Sequence, residues 1–257
     1  MSKIINLNAD MGEGFGPYDI GDDRGMLEAV TSANIACGFH GGDPAVMRRT
    51  VKAAAAKGVS VGAHPGFADL QGFGRRRIDL SPAEVENIVA YQVGSLCAIA
   101  ALEGVRVTHV KPHGALSNVS AIEDSWALAI ARAIRAVDAS LIFLAIAGSA
   151  MERAGRKEGL QVAREGFCDR QYEEDGNLVS RKIDGSVYRD PAPAVRQVLE
   201  MLEGRVTARS GKIIACPVES LCIHGDEPTG TAIARAVRAE LDARGVTVAP
   251  LPAMAFS

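Results

Sequence analysis

Residues Thr108-His109-Val110-Lys111-Pro112-His113-Gly114-Ala115-Leu116 join a buried strand to a polar turn. An apolar run over residues 105–110 delivers two histidines and a lysine within five positions, and Pro112 and Gly114 then stop the strand and turn the chain. Two imidazoles and an ammonium are too polar for a packed core unless each finds a partner. The segment therefore either needs several hydrogen bonds to stay buried or opens onto a cleft where chemistry happens. His109, one step deeper than the turn, reads as a supporting core residue. Lys111 and His113 read as groups that face a ligand.

Working outward, strand, polar loop and helix recur about seven times, the pattern of a parallel sheet. Short apolar strands are expected over residues 4–7, 33–36, 59–62, 105–110, 141–145, 160–163 and 220–223, with a last short one at 246–248. Asp43-Pro44 reads as an N-cap with proline in the first turn, and Ser81-Pro82-Ala83-Glu84 as a capping box. Trp126, Ile130, Ala133, Ile134 and Val137 mark the packed face of a helix. A closed barrel and a doubly wound sheet both suit this order. No GxGxxG follows the first strand, so the expected fold is α/β, an irregular, seven-stranded (β/α) barrel of the TIM type, in a single domain over residues 1–257.

Composition narrows the function. The 257 residues are 47% hydrophobic, with 28 basic and 31 acidic residues well mixed and a net charge of −3. That balance offers no basic patch for nucleic acid, and no apolar run approaches the roughly 20 residues of a membrane span. The five cysteines form no CxxC pair, which suits reduced thiols in the cytoplasm. Cys37 and Cys168 read as packing residues, since neither has a neighbouring base in sequence.

With strands ending where these patterns put them, all five histidines (His40, His64, His109, His113 and His224) fall at or just beyond a strand's C-terminal end. Asp10, Glu13, Lys111, Asp169, Arg170 and Asp226 do the same, and that rim is where barrel enzymes carry their active sites. Asp10 and Glu13 read as paired carboxylates in a glycine-rich loop, or as helix caps. Arg75-Arg76-Arg77, led in by Gly72-Phe73-Gly74, reads as an anion-gripping loop or a solvated run, and Asp169-Arg170 as site residues or a surface ion pair. Asp10, His40, His64 and His113 could supply a divalent metal site at the barrel mouth, though no HxH or HExxH spacing is present.

Joined together, the motifs Asn8-Ala9-Asp10-Met11-Gly12-Glu13, residues 32–44, Gly62-Ala63-His64-Pro65-Gly66, Gly72-Phe73-Gly74-Arg75-Arg76, Tyr91-Gln92-Val93-Gly94, residues 109–116, Asp169-Arg170 and His224-Gly225-Asp226 closely resemble the LamB/YcsF family, which supplies the A subunit of prokaryotic 5-oxoprolinase. The likeness runs in order from about residue 4 to residue 250. Two positions depart from the family pattern: Ser117 stands where a tyrosine is usual, and Cys168 where an alanine is usual. The resemblance implies an irregular barrel similar to polysaccharide deacetylases. It also implies ATP-dependent opening of 5-oxo-L-proline to L-glutamate, with ATP (and magnesium) as cosubstrate and subunits B and C as partners. Asp10, Glu13, His64, Lys111 and His113 are then the expected catalytic residues. His40, Arg75, Arg76, Asp169, Arg170, His224 and Asp226 are expected to bind substrate. No P-loop GxxxxGK[ST] occurs, so ATP use is expected to be shared with the partners. The competing expectation is a stand-alone metal-dependent amidohydrolase or deacetylase.

Overall fold

In the computed structural model, which describes residues 3–226 and 228–256, the chain opens with β1 (Ile4–Met11). This strand runs on through Asn8, Ala9, Asp10 and Met11, which their polarity assigns to a loop. A period of two explains the difference. Ile5, Leu7, Ala9 and Met11 join the hydrophobic core, while Asn6, Asn8 and Asp10 alternate with them and are equally buried. Their hydrogen bonds cross to strands that are not neighbours as well as to those that are: Asn8 Nδ2 donates to Glu165 Oε1 at 3.1 Å and Asn34 Nδ2 donates to Asp10 Oδ1 at 2.9 Å. On β1 the lumen side is therefore polar and hydrogen-bonded, and the apolar side faces the helices.

The remaining elements follow as α1 (Asp23–Met26), β2 (Ser32–Ala36), α2 (Pro44–Ala56), β3 (Ser60–His64), α3 (Pro82–Ala101), β4 (Val107–Val110), α4 (Gly114–Ser120), α5 (Asp124–Val137), β5 (Ile142–Ile146) and α6 (Ala150–Lys157). After them come β6 (Val162–Phe167), α7 (Pro191–Leu202), β7 (Arg205–Thr207), β8 (Ile213–Ala215), β9 (Ser220–Ile223), α8 (Gly230–Ala243), β10 (Thr247–Val248) and a 3-10 turn at Leu251–Ala253. β1 to β6 pair in order, β6 pairs with β9, and β9 returns to β1 with Asn6 opposite Ser220, all parallel. Seven strands thus close a barrel and leave none of its strands as a free edge. β10 adds to the start of β1 through Ile4 and Ile5, and β7 and β8 form an antiparallel hairpin. At the N-terminal ends of the strands, Leu251 packs on Ile142, Leu144 and Ala163 and plugs the lumen.

Local chemistry sets the helix starts as expected. Asp43 accepts from the Ala45 and Val46 amides, and Ser81 and Glu84 form the reciprocal capping box, each cap worth about 1 kcal/mol. Trp126 is buried edge-on against Phe67. The short α4, α6 and the β7–β8 hairpin are not foretold by periodicity, because each is too short to display a repeat.

Gly62 marks a close approach inside the lumen. A Cβ there would lie 2.2 Å from His109 Nε2, and the ring, hydrogen-bonded on both nitrogens, has nowhere to retreat. Gly62→Ala is expected to destabilise the fold by about 3 kcal/mol, read as a lower urea midpoint. An unchanged midpoint would mean that the lumen is looser than its hydrogen bonds imply.

Candidate active site

At the C-terminal ends of the strands lies a cavity of about 680 Å³, walled by Asp10, His64, Lys111, His113, Arg170 and His224 together with the segment 177–182. Its floor is an ion pair assembled from opposite sides of the barrel. Lys111, one residue beyond β4, sends Nζ to Asp10 Oδ1 at 2.7 Å, with Cys222 Sγ at 2.9 Å and Glu165 Oε1 at 3.2 Å. An ammonium has three N–H donors, and here each has an acceptor. Phe167 covers the same ammonium with its ring face at 5.5 Å.

Beside this pair sits an imidazole cluster. His64, the last residue of β3, binds the Lys111 carbonyl through Nδ1 at 2.7 Å and turns Nε2 toward His113 Nδ1 at 2.9 Å and Asp10 Oδ2 at 3.3 Å. His113 binds the Phe73 carbonyl through Nε2 at 2.8 Å. His40 stacks flat on His113 at 3.7 Å and meets Glu13 Oε1 at 3.1 Å. Phe73 itself has φ of 54°, a left-handed conformation that costs a bulky residue about 1–3 kcal/mol. That conformation delivers its carbonyl to His113. Gly74 follows at φ 62°, where a Cβ would stand 2.7 Å from His40 Cβ.

A third group is a carboxylate–imidazole dyad, Asp169 Oδ1 to His224 Nδ1 at 2.9 Å, with the His224 amide also on Asp169. Asp169 and Arg170 do not form the surface ion pair that is the alternative to a site role. Arg170 is buried at the cavity wall and donates to the Val179 carbonyl; its Nε has no hydrogen-bond partner among the described residues. Arg75 lines the cavity and pairs with Asp226 at 2.6 Å. Arg76 lies outside it: its guanidinium closes on Asp69 and its side chain is 63% exposed. Nothing in the sequence marks Asp69 as its partner, and the pair holds the Asp69 carboxyl down at about 2.

A family model for LamB/YcsF matches residues 5–256. The chain belongs to the LamB/YcsF family. It is 54% identical to a protein of Rhodopseudomonas palustris named as the A subunit of 5-oxoprolinase, over 96% of this chain and 98% of that one. It is 46% identical to the crystal structure of a lactam utilization protein from Thermus thermophilus, with a TM-score of 0.90 over 96% of this chain and 99% of that one. The catalytic domain of a peptidoglycan N-acetylglucosamine deacetylase from Eubacterium rectale shares the fold at a TM-score of 0.54 and 13% identity, covering 100% of this chain and 92% of that one. The barrel type expected from the sequence is thereby met.

Burial and charge set the ionisation of this family member's site. Burial would raise the Asp10 carboxyl, but His64 and Lys111 outweigh it and hold it well below the usual range. Burial would likewise lower the Lys111 ammonium, and Asp10, Cys222 and Glu165 hold it well above its ordinary value. Lys111 and Asp10 are thus a charged pair. Glu165 goes the other way: burial lifts its carboxyl above the ordinary value more than Lys111 lowers it. Burial lifts Glu13 well above the carboxylate range and drops His40 and His113 well below 6.5. Glu13, His40, His64 and His113 offer ligand atoms within 4.8 Å of one another, as do Asp10, Cys222 and His224, so each group could hold a metal ion.

Glu165, Cys222 and Asn34 are site residues that sequence reasoning misses. Their signal is the two-residue alternation along β6, β9 and β2, which reads as ordinary strand polarity until the lumen is known to be polar. Segment 177–182 carries no signal at all. Ser117, at the position usually tyrosine, does line the cavity.

Proposed function

We propose that this chain is the lactam-opening subunit of a multi-subunit 5-oxoprolinase, converting 5-oxo-L-proline to L-glutamate with ATP. The observation that carries the reading is the buried Lys111 ammonium, kept charged by Asp10 at the floor of a cavity whose wall holds Arg170, its Nε without a partner among the described residues. A small cyclic amide bearing a carboxylate needs such a pair of cations: one at its carbonyl oxygen, one at its carboxylate. The names of the relatives agree with it.

A five-membered lactam is a resonance-stabilised amide, so its hydrolysis is driven by phosphoryl transfer from ATP to the lactam oxygen. Water adds to the activated carbon, the C–N bond breaks, and the nitrogen leaves with a proton. A second water then releases phosphate from the acyl phosphate, giving glutamate, ADP and phosphate. Lys111 stabilises charge on the lactam oxygen, which displaces the Cys222 thiol, the weakest of its three acceptors. His224, held through Nδ1 by Asp169, presents Nε2 as the base that takes a proton from water and returns it to nitrogen. Arg170, whose burial pushes it down to about 10 and leaves it still charged, grips the substrate carboxylate. ATP and the B and C subunits complete the reading, and magnesium enters with the nucleotide. Five free thiols accord with a cytoplasmic location. Among the described residues no helix is long and apolar enough to cross a membrane.

Glutamate release from 5-oxoproline, followed for the chain alone and with its partner subunits, with and without ATP, tests this. Release is expected only with partners and ATP; release by the chain alone without ATP overturns the reading in favour of a stand-alone amidohydrolase. In the same assay Arg170→Ala is expected to raise KM about tenfold to a hundredfold, the loss of a charge-assisted contact. Arg76→Ala, outside the cavity, is expected to leave KM within about twofold, as for an exposed pair. Equal effects from both would remove Arg170 from the carboxylate site.

A further inference from the structure

The hydrogen bonds of the imidazole cluster leave one point short of a proton. A backbone carbonyl only accepts, so the Lys111 carbonyl fixes a proton on His64 Nδ1 and the Phe73 carbonyl fixes one on His113 Nε2. In neutral rings the two remaining nitrogens, His64 Nε2 and His113 Nδ1, are then both lone pairs. Yet they face each other at 2.9 Å, buried, with Glu13 Oε1 at 3.3 Å from His113 Nδ1 and 4.0 Å from His64 Nε2. Two lone pairs and the Glu13 carboxyl oxygen directed at one point repel unless a proton or a cation stands between them, and a metal cation there would hold Glu13 as the carboxylate. Nor is the arrangement a loose one: Phe73 adopts a left-handed backbone to hold the His113 proton in place.

We propose that a divalent cation of the zinc type binds at this point, ligated by His64 Nε2, His113 Nδ1 and Glu13 Oε1. The outer N–H of each ring already has the carbonyl partner that metal-bound histidines characteristically keep. The spacing fits as well. Four ligands on bonds of about 2.0–2.1 Å stand about 3.3 Å apart at the corners of a tetrahedron, and the observed separations of 2.9, 3.3 and 4.0 Å straddle that value. Asp10 Oδ2, 3.3 Å from His64 Nε2, borders the remaining corner, and Asp10, His64 and His113 all line the cavity. Three protein ligands with a fourth position toward a ligand cavity is the pattern of zinc centres that act on a water or a carbonyl. His40 is not counted among the ligands. Its Nε2 meets Glu13 Oε1 and its Nδ1 is buried without a partner among the described residues, so the ring orients Glu13 and stacks on His113. The site stands on its own residues and does not depend on which lactam is opened.

The test is metal binding by the full chain, stripped with a chelator and titrated with Zn²⁺ by calorimetry. One equivalent is expected to bind and to raise the melting temperature. His113→Ala and Glu13→Gln are each expected to weaken binding at least about tenfold, as loss of a ligand does at minimum. Should either variant fail to fold, wild-type chain loaded with Co²⁺ decides. It is expected to show two exchangeable, paramagnetically shifted N–H proton resonances, one from His64 Nδ1 and one from His113 Nε2. No stoichiometric uptake by folded wild-type chain overturns the proposal, as does uptake unchanged in a folded His113→Ala or a Co²⁺ spectrum without those two resonances. Such a failure leaves the 5-oxoprolinase reading standing, since glutamate release is measured separately.

Discussion

Lys111→Met is expected to lower glutamate release by about 10²–10³-fold, the loss that follows removal of one preorganised donor from a developing oxyanion. The same change is expected to cost stability, because it leaves the Asp10 carboxylate buried without its cation. Breaking a buried pair by removing one partner costs about 3–5 kcal/mol, most of it the isolated charge. The two consequences separate in the double variant Asp10→Asn/Lys111→Met, which removes both charges. Its urea midpoint is expected to recover most of the single variant's loss, while turnover stays low. A Lys111→Met enzyme that turns over like wild type would take Lys111 out of the reaction. A double variant no more stable than the single one would mean that the pair is not the charge-compensated unit its 2.7 Å contact describes.

Acid is expected to unfold the protein through His109. The ring is fully buried, with Nε2 donating to the Asn34 side-chain oxygen at 3.1 Å and Nδ1 beside Thr108 Oγ1 at 2.9 Å. Burial first, then the Lys111 ammonium, pushes it down to about 3 from 6.5. The unfolded chain thus takes up this proton near pH 6.5 and the folded one only near pH 3. Between those values the unfolded state holds more protons, so stability falls as pH falls. One proton changes the unfolding free energy by about 1.4 kcal/mol per pH unit, so this residue alone accounts for a loss of about 2 kcal/mol between pH 6.5 and pH 5. His40 and His113 act in the same direction, and the wild-type slope will exceed one proton. Urea unfolding of wild type and His109→Gln across pH 5–7 isolates the His109 part. The variant is expected to be less stable at pH 7 but flatter with pH by about one proton. Parallel pH curves would exclude His109 as the acid-sensitive group.

How much of the site is legible in the sequence varies residue by residue, for physical reasons. Lys111 and His113 are legible because polar groups bunched against an apolar run demand an explanation wherever they fold. His109 is placed correctly, deeper than the turn, because strand alternation sets it apart from the rim. Arg76 and Arg75 are adjacent in sequence and look alike, yet one closes on Asp69 and the other on Asp226. A run of identical charges carries no information about which partner each will find. Asp10 is recognisable as a site residue but reads as part of a loop, since strand polarity is normally read with the polar face toward water. Here the polar face looks into the barrel.

Local rules, written in the order of residues alone, suffice for the alternation of strands and helices, the caps at Asp43 and Ser81, and the collection of histidines at one end of the strands. Period, capping chemistry and turn residues act over a few positions and need no partner from afar. Which polar groups meet is a matter of three-dimensional closure. Lys111 reaches Asp10 across 101 residues and His224 reaches Asp169 across 55. Closing the barrel brings non-neighbouring strands face to face, and strand register then selects each partner. A one-residue slip would turn Asp10 to the helices and Met11 to the lumen. The stretch from Thr108 to Leu116 announced a site, and barrel closure fixed what its lysine and histidine hold.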